Sequence, residues 1–165
     1  MHPGAEQTGV SGSSKPRPLA LLCRVGVIVC ALPLEQVSET MRPLPVAAVN
    51  GMPSFMDGVA VVRGSPVPVV DLARLLGRPD DEPRARFVVV KVDQRYVALA
   101  VPQVIGVRPL DPASVGALPP LLEGTSAEFV AGIGVLDAHL LVVLKSWRIL
   151  PASIWEGLES GGVDA

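Results

Sequence analysis

Short runs of valine, leucine and isoleucine alternate with clusters of glycine, proline and aspartate along most of the chain. Runs of this length between turn-forming residues are typical of β-strands. The pattern predicts ten strands, at residues 19–24, 28–33, 36–43, 58–62, 67–70, 87–92, 96–101, 104–108, 132–136 and 140–144. Because ten strands do not form a stable flat sheet, the sequence predicts an all-β domain that closes into barrels.

Two short helices are predicted beside these strands. Asp71 follows one strand and precedes an apolar turn that ends before Gly77, which is the arrangement of an N-cap and a C′ glycine. Near the end of the chain, Ser153 and Glu156 have the spacing of a capping box. The apolar residues of this last helix that we expect to pack on a barrel are Ile154, Trp155 and Leu158.

Two internal repeats indicate a duplicated unit. Residues 55–61 recur as 129–135, with Phe, Gly and Val at a constant offset of 74 residues, and residues 31–37 recur as 98–104 at an offset of 67. A unit that occurs twice predicts two similar subdomains rather than a solenoid, which needs at least three repeats. The polar residues 78–86 are predicted to link the copies.

Composition favours a protein-binding module over several other classes. The net charge of −2 and the aromatic content of 4% argue against nucleic-acid binding, whereas 49% hydrophobic residues exceed what a small core needs. No apolar run reaches the roughly 20 residues of a spanning helix. We therefore expect a cytoplasmic protein with a disordered tail at 1–17, one domain at 18–151, and a short helix and tail at 152–165.

Residues suited to catalysis are few, so the sequence predicts no enzyme, metal or cofactor. His139 is expected in a solvated turn, where polar residues are common. Cys23 and Cys30 flank a predicted two-residue turn at Gly26–Val27, which would place them directly opposite each other. We expect two buried free thiols, because a disulfide is unfavourable in a reducing cytosol.

Residues 55–77 have a glycine that opens a strand, an Arg-Gly pair that ends it and a Pro-hydrophobic-hydrophobic-Asp-Leu stretch before a helix. With residues 30–39, 96–104 and 128–136 in the same order, this segment resembles the CheW coupling-protein family, and the resemblance spans about residues 19–150. It implies two five-stranded SH3-like barrels around a shared core. It also implies a scaffold that joins the cytoplasmic tips of chemoreceptors to the regulatory domain of a CheA-type histidine kinase.

The resemblance also implies which residues bind the partners. The receptor groove between the barrels corresponds to Val37, Val104 and Ile105, although a buried position is the alternative for each. Glu39 and Arg63 are expected to face each other on one barrel and organise the loop that meets kinase or receptor, unless they are unrelated solvated charges. The residues of the structural motif are Gly58, Gly64, Asp71 and Gly132.

Departures from the family pattern leave two other functions open. Val61-Val62, Cys30 and Pro102 replace an Asn-Leu pair, an aromatic residue and an aspartate that are usual in the family. One alternative is a regulator that binds the kinase alone and competes with the true coupling protein. The other is a small-ligand-binding barrel, for which the sequence offers few convergent polar groups.

Overall fold

The computed structural model describes residues 17–77, 82–117, 128–145, 148–150 and 152–161. Within these residues the chain forms eleven strands, namely β1 (Leu19–Val25), β2 (Ile28–Pro33), β3 (Val37–Met41), β4 (Met56–Val62), β5 (Ser65–Asp71), β6 (Arg86–Val92), β7 (Arg95–Val101), β8 (Gln103–Pro109), β9 (Val115–Gly116), β10 (Val130–Leu136) and β11 (His139–Leu144). The described helices are α1 (Leu72–Leu75) and α2 (Ala152–Gly161), with single 3₁₀ turns at Leu34–Gln36 and Pro112–Ser114. All ten predicted strands are present, and β9 is an additional strand of two residues.

The strands form two sheets, which confirms the all-β fold class. Sheet I has six strands in the order β8-β1-β2-β11-β10-β9, and sheet II has five in the order β3-β6-β7-β5-β4. The short β9 is the reason that sheet I exceeds the five strands expected.

Neither half of the chain forms a barrel by itself. Strand β2 pairs in parallel with β11 in sheet I, and β5 pairs in parallel with β7 in sheet II. Each parallel pair joins one strand from the first half of the chain to one from the second. The two barrels are therefore intertwined through strand exchange.

The register of the strands confirms the duplication. Gly58 pairs with Val69 beside a β-bulge, and Gly132 pairs with Val143 beside a matching bulge, both at the offset of 74 residues. The exchanged pairs follow the same rule, because Val69 lies opposite Ala98 whereas Val143 lies opposite Ala31. The two repeats thus describe equivalent positions in the two barrels.

Three clusters of buried side chains form the core. The largest cluster draws residues from both sheets, including Cys23 and Cys30 from sheet I and Val90 and Val97 from sheet II. Each sheet also has its own smaller cluster, which contains Leu22 in sheet I. Since neighbouring residues of a strand point to opposite faces, each sheet buries one face inside its barrel and the other in the shared core.

The two motif glycines, Gly58 and Gly132, permit close backbone contacts. A Cβ atom at Gly58 would lie 2.0 Å from the Ala47 carbonyl oxygen, and one at Gly132 would lie 2.7 Å from the Gly116 carbonyl oxygen. Both contacts bring an adjoining segment against the bulged strand, so the repeated glycine has the same steric cause in each copy.

Helix α1 begins at the predicted cap. The Asp71 carboxylate accepts hydrogen bonds from the backbone amides of Ala73 at 3.1 Å and Arg74 at 3.4 Å. Gly77 follows the helix with a φ of 70°, as a C′ glycine does. The same Asp71 carboxylate also accepts from Arg84 Nε at 2.9 Å, which attaches the segment that joins the two halves.

Helix α2 packs on the shared core through the predicted residues Ile154, Trp155 and Leu158. The Arg95 guanidinium lies 4.9 Å from the centre of the Trp155 ring, a cation–π contact. The predicted capping box is wrong, because the helix begins at Ala152 and Ser153 is already a helical residue.

The two cysteines lie opposite each other in the β1–β2 hairpin, as predicted, and both thiols are free and fully buried. Burial raises the pKa of Cys23 to about 12 and raises the pKa of Cys30 as well. Both thiols therefore stay protonated at neutral pH. No helix among the described residues is long and apolar enough to cross a membrane.

The predicted division into residues 1–17, 18–151 and 152–165 stays a prediction. Residues 1–16 of the expected tail and 78–81 of the expected link lie outside the described residues. The rest of the link, residues 82–85, precedes β6 without regular secondary structure.

Candidate partner-binding surface

The tip of the β4–β5 hairpin presents an arginine to solvent. Val62 pairs with Ser65, which leaves Arg63 and Gly64 as a two-residue turn with φ values of 51° and 81°. Two positive φ values in succession define a type I′ turn, whose twist matches that of the flanking strands. The Arg63 side chain is 78% exposed at this tip.

Glu39 receives the arginine from the opposite edge of sheet II. Arg63 Nε donates to Glu39 Oε2 at 2.7 Å, and Arg63 Nη2 donates to Oε1 at 2.9 Å. Strands β3 and β4 are the two edges of the sheet, so this bidentate pair joins its edges at one end of the barrel. The predicted pairing of Glu39 with Arg63 is confirmed.

The pair shifts the pKa of both groups. The hydrogen bond from Arg63 lowers the pKa of the Glu39 carboxyl, and the bond to Glu39 raises the pKa of the Arg63 guanidinium. Both groups are therefore charged at neutral pH. Because exposed ion pairs add little to stability, the main consequence of this pair is a guanidinium held in a fixed position.

A depression of about 240 Å³ lies beside the ion pair. We call the surface around it the Arg63 surface, and its lining residues are Ser38, Glu39, Val62, Arg63, Ser65, Val67, Val89 and Tyr96. Three valines line it, and two hydroxyl-bearing serines and Tyr96 accompany the charges. Such a surface can accept an apolar side chain of a partner while its polar groups form hydrogen bonds around that side chain.

Sequence reasoning missed Ser38 and Tyr96 at this surface. Tyr96 is one of the exposed large side chains of the described residues, and Lys91 Nζ lies 5.9 Å from the centre of its ring. Sequence alone assigned Tyr96 to a strand, but its place beside Arg63 depends on how sheet II closes.

The predicted groove residues divide into two groups. Val37 on β3 and Val104 on β8 occupy equivalent positions on edge strands of the two sheets, and both are partly buried against the shared core. Ile105 does not join them, because it lines a separate depression with Leu22 and Val29 on the other face of sheet I. The expected grouping of Ile105 with the two valines is therefore wrong, since adjacent strand residues point to opposite faces.

The described residues contain no group of three or more His, Cys, Asp or Glu side chains that could hold a metal ion. His139 is exposed on β11, as predicted, with its Nδ1 atom 2.9 Å from the Asp137 carbonyl oxygen. No nucleophile lies within the hydrogen bonds that the structure gives this histidine.

Known proteins match the chain over most of its length. The family model described as a CheW-like domain matches residues 19–153. Protein FrzA of Myxococcus xanthus is 30% identical over 132 residues, which cover 78% of this chain and 81% of that protein. The probable chemotaxis protein CheW of Rhizobium etli is 26% identical over 124 residues, which cover 74% of this chain and 80% of that protein.

A solved structure has the same fold. The crystal structure of the scaffolding protein TtCheW from Thermoanaerobacter tengcongensis superposes with a TM-score of 0.69 at 23% identity, over 79% of this chain and 90% of that one. With the intertwined barrels and the family match, this likeness confirms the resemblance found in the sequence. The chain belongs to the CheW-like domain family of chemotaxis scaffold proteins, which act without catalysis.

Proposed function

We propose that this chain is a cytoplasmic adaptor that couples chemoreceptor tips to the regulatory domain of a CheA-type histidine kinase within a receptor array. The observation that carries the proposal is the ordered Glu39–Arg63 pair beside an apolar depression on a non-catalytic scaffold. An adaptor needs exposed surfaces that are already in shape before the partner arrives.

The Arg63 surface has the properties of a contact that contributes strongly to binding. Arginine is enriched among the residues that dominate binding energy, and a fixed guanidinium loses less conformational entropy on binding than a mobile one. A partner that covers Arg63 would exclude water from the ion pair and from the neighbouring valines. The pair would then fix the register of the complex more than it stabilises the free protein.

Val37 and Val104 supply the second proposed contact, which is the receptor groove. Both valines are partly buried at the shared core, so a receptor helix would cover apolar area that is already half removed from water. Helix-in-groove binding uses apolar positions of this kind.

Binding of the purified chain to its partners tests the proposal. The receptor tips and the kinase regulatory domains encoded in the same cell are titrated separately by calorimetry. We expect Arg63→Ala to weaken binding of at least one partner about tenfold, as loss of a strong contact does. The matched control is Arg86→Ala, which removes an exposed arginine at the start of β6.

A charge exchange separates the fold of the tip from its polarity. The double variant Glu39→Arg, Arg63→Glu can re-form the ion pair with the charges reversed. If the polarity of the surface is recognised, this variant binds as weakly as Arg63→Ala.

The partners that bind decide between the possible functions. Binding of both receptor and kinase supports the adaptor. Binding of a kinase alone would favour the competing regulator, and binding of neither, or full binding by Arg63→Ala, would contradict the proposal.

A further inference from the structure

The second barrel carries a counterpart of the Arg63 surface. The β10–β11 hairpin ends in Asp137 and Ala138, whose φ values of 49° and 66° repeat the type I′ turn of Arg63 and Gly64. Asp137 lies 74 residues after Arg63, so the duplication places the two tips at equivalent positions. A depression of about 130 Å³ lies beside this second tip as well.

The residues around the two depressions correspond one to one. Ile105 and Leu136 occupy the places of Ser38 and Val62, and Leu22 and Val29 occupy those of Val89 and Tyr96. We call the second surface the Asp137 surface. Its walls are aliphatic at positions where the Arg63 surface has the hydroxyls of Ser38 and Tyr96.

The charges of the two tips are inverted. Arg108 Nη1 on β8 donates to Asp137 Oδ2 at 2.8 Å, so this tip is acidic and its strand partner is basic. At the Arg63 surface the tip is basic and the strand partner, Glu39, is acidic. In both pairs the tip residue is the more exposed member, at 78% for Arg63 and 69% for Asp137.

We propose that the Arg63 surface of one copy of this chain binds the Asp137 surface of a second copy. Docking of the two tips would bring the exposed guanidinium to the exposed carboxylate and create an alternating row of four charges. Exposed valines accompany both tips at equivalent positions, since Val61 is 63% exposed and Val135 is 67% exposed. These valines supply apolar contact beside the charges.

The charge inversion also selects the symmetry of the assembly. Two copies that met through the same surface would place Arg63 against Arg63, or Asp137 against Asp137, and like charges oppose such contacts. The unlike surfaces attract, and each copy has one of each. Contact between unlike surfaces is heterologous and leads to a chain or a closed ring rather than a twofold dimer.

This inference involves only the chain itself and does not depend on binding of a kinase or receptor. Sedimentation equilibrium of the purified protein, from micromolar to millimolar concentration at low salt, measures it directly. We expect a mass that rises with concentration and an association that weakens as salt is added.

Single charge reversals test which surfaces meet. Arg63→Asp gives a protein with two acidic tips, and Asp137→Arg gives one with two basic tips, so we expect each to weaken self-association by tenfold or more. The matched controls are Arg86→Asp and Asp93→Arg. Asp93 is also an exposed residue with a positive φ of 55°, so its substitution imposes a comparable backbone demand.

Mixing the two reversed proteins is the decisive measurement. Arg63→Asp and Asp137→Arg have complementary surfaces, so an equimolar mixture should associate although neither variant does so alone. Circular dichroism of each variant confirms that it is folded.

Three results would overturn the proposal. They are a wild-type protein that stays monomeric at all concentrations, single variants that associate like the wild type, and a mixture that stays monomeric. A monomeric wild type whose Asp137→Arg variant loses kinase binding would instead identify the Asp137 surface as a kinase site.

Discussion

Removal of the Asp71 carboxylate should destabilise the protein more than removal of any exposed carboxylate. Asp71 is 4% exposed, caps helix α1 and holds Arg84 of the segment that joins the two halves of the chain. That segment also reaches the other sheet, because Arg24 Nη2 on β1 donates to Glu82 at 2.8 Å. One buried carboxylate therefore supports a helix in sheet II and a connection to sheet I.

The expected magnitude for Asp71→Ala follows from its contacts. Loss of a helix cap costs about 1 kcal/mol. Breaking a largely buried pair costs about 3 kcal/mol, and the lower end of that range suits Arg84, which keeps its hydrogen bond to the Glu82 carbonyl oxygen. The free energy of unfolding should fall by about 4 kcal/mol, a large part of the stability of a domain of this size.

Two further variants separate the contributions. Asp71→Asn keeps an oxygen that can accept from the helix amides but removes the charge, so it should cost about 2 kcal/mol. Asp111→Ala removes another capping aspartate, which accepts from Ala113 N at 3.0 Å at an exposed turn. Its cost should stay within about 1 kcal/mol.

Urea unfolding monitored by circular dichroism and tryptophan fluorescence measures all three. The reasoning is refuted if Asp71→Ala costs no more than Asp111→Ala. If Asp71→Asn is as costly as Asp71→Ala, the helix cap contributes nothing and only the charge matters.

Three other outcomes are expected. Gly58→Ala should cost about 3 kcal/mol of unfolding free energy, because its Cβ would overlap a backbone carbonyl at a φ of 141°, whereas Gly51→Ala, with open space around it, should cost about 1 kcal/mol in the same urea assay. Cys23, whose pKa burial raises to about 12, and its cross-strand neighbour should not react with Ellman's reagent at pH 8 in the folded protein, and both should react in urea; rapid labelling of the native protein would contradict their burial. The Glu39 carboxyl should titrate by NMR below the usual glutamate range, so that the ion pair persists as pH falls past the unfolded pKa and is lost as pH falls through the lowered one; the same carboxyl should titrate higher in Arg63→Ala, and an unchanged titration would show that the pair is absent in solution.

The sequence located most of the candidate site through the family resemblance rather than through chemistry. Glu39 and Arg63 are 24 residues apart, and no local pattern predicts that they meet. The match of their surroundings to a known family predicted the pair. The same reasoning failed for Ile105, since a β-bulge and the strand alternation direct its side chain away from Val104.

The sequence by itself determined the strands, the α1 cap and the duplication, because each rests on nearby residues. Period-two apolar runs, an aspartate before a helix and a repeated glycine are local signals. The cap of α2 was predicted one residue too late, because a capping box resembles the first turn of a helix that has already begun.

Only the tertiary structure decided which strands are neighbours. The parallel pairs β2–β11 and β5–β7 join segments that are far apart in the chain, and apolar alternation defines the buried face of a strand but not its partner. This exchange places a duplicated hairpin in each barrel and brings a basic tip to one and an acidic tip to the other. The opposed polarity of the Arg63 and Asp137 surfaces is therefore encoded in single residues but becomes visible only when the two halves are folded together.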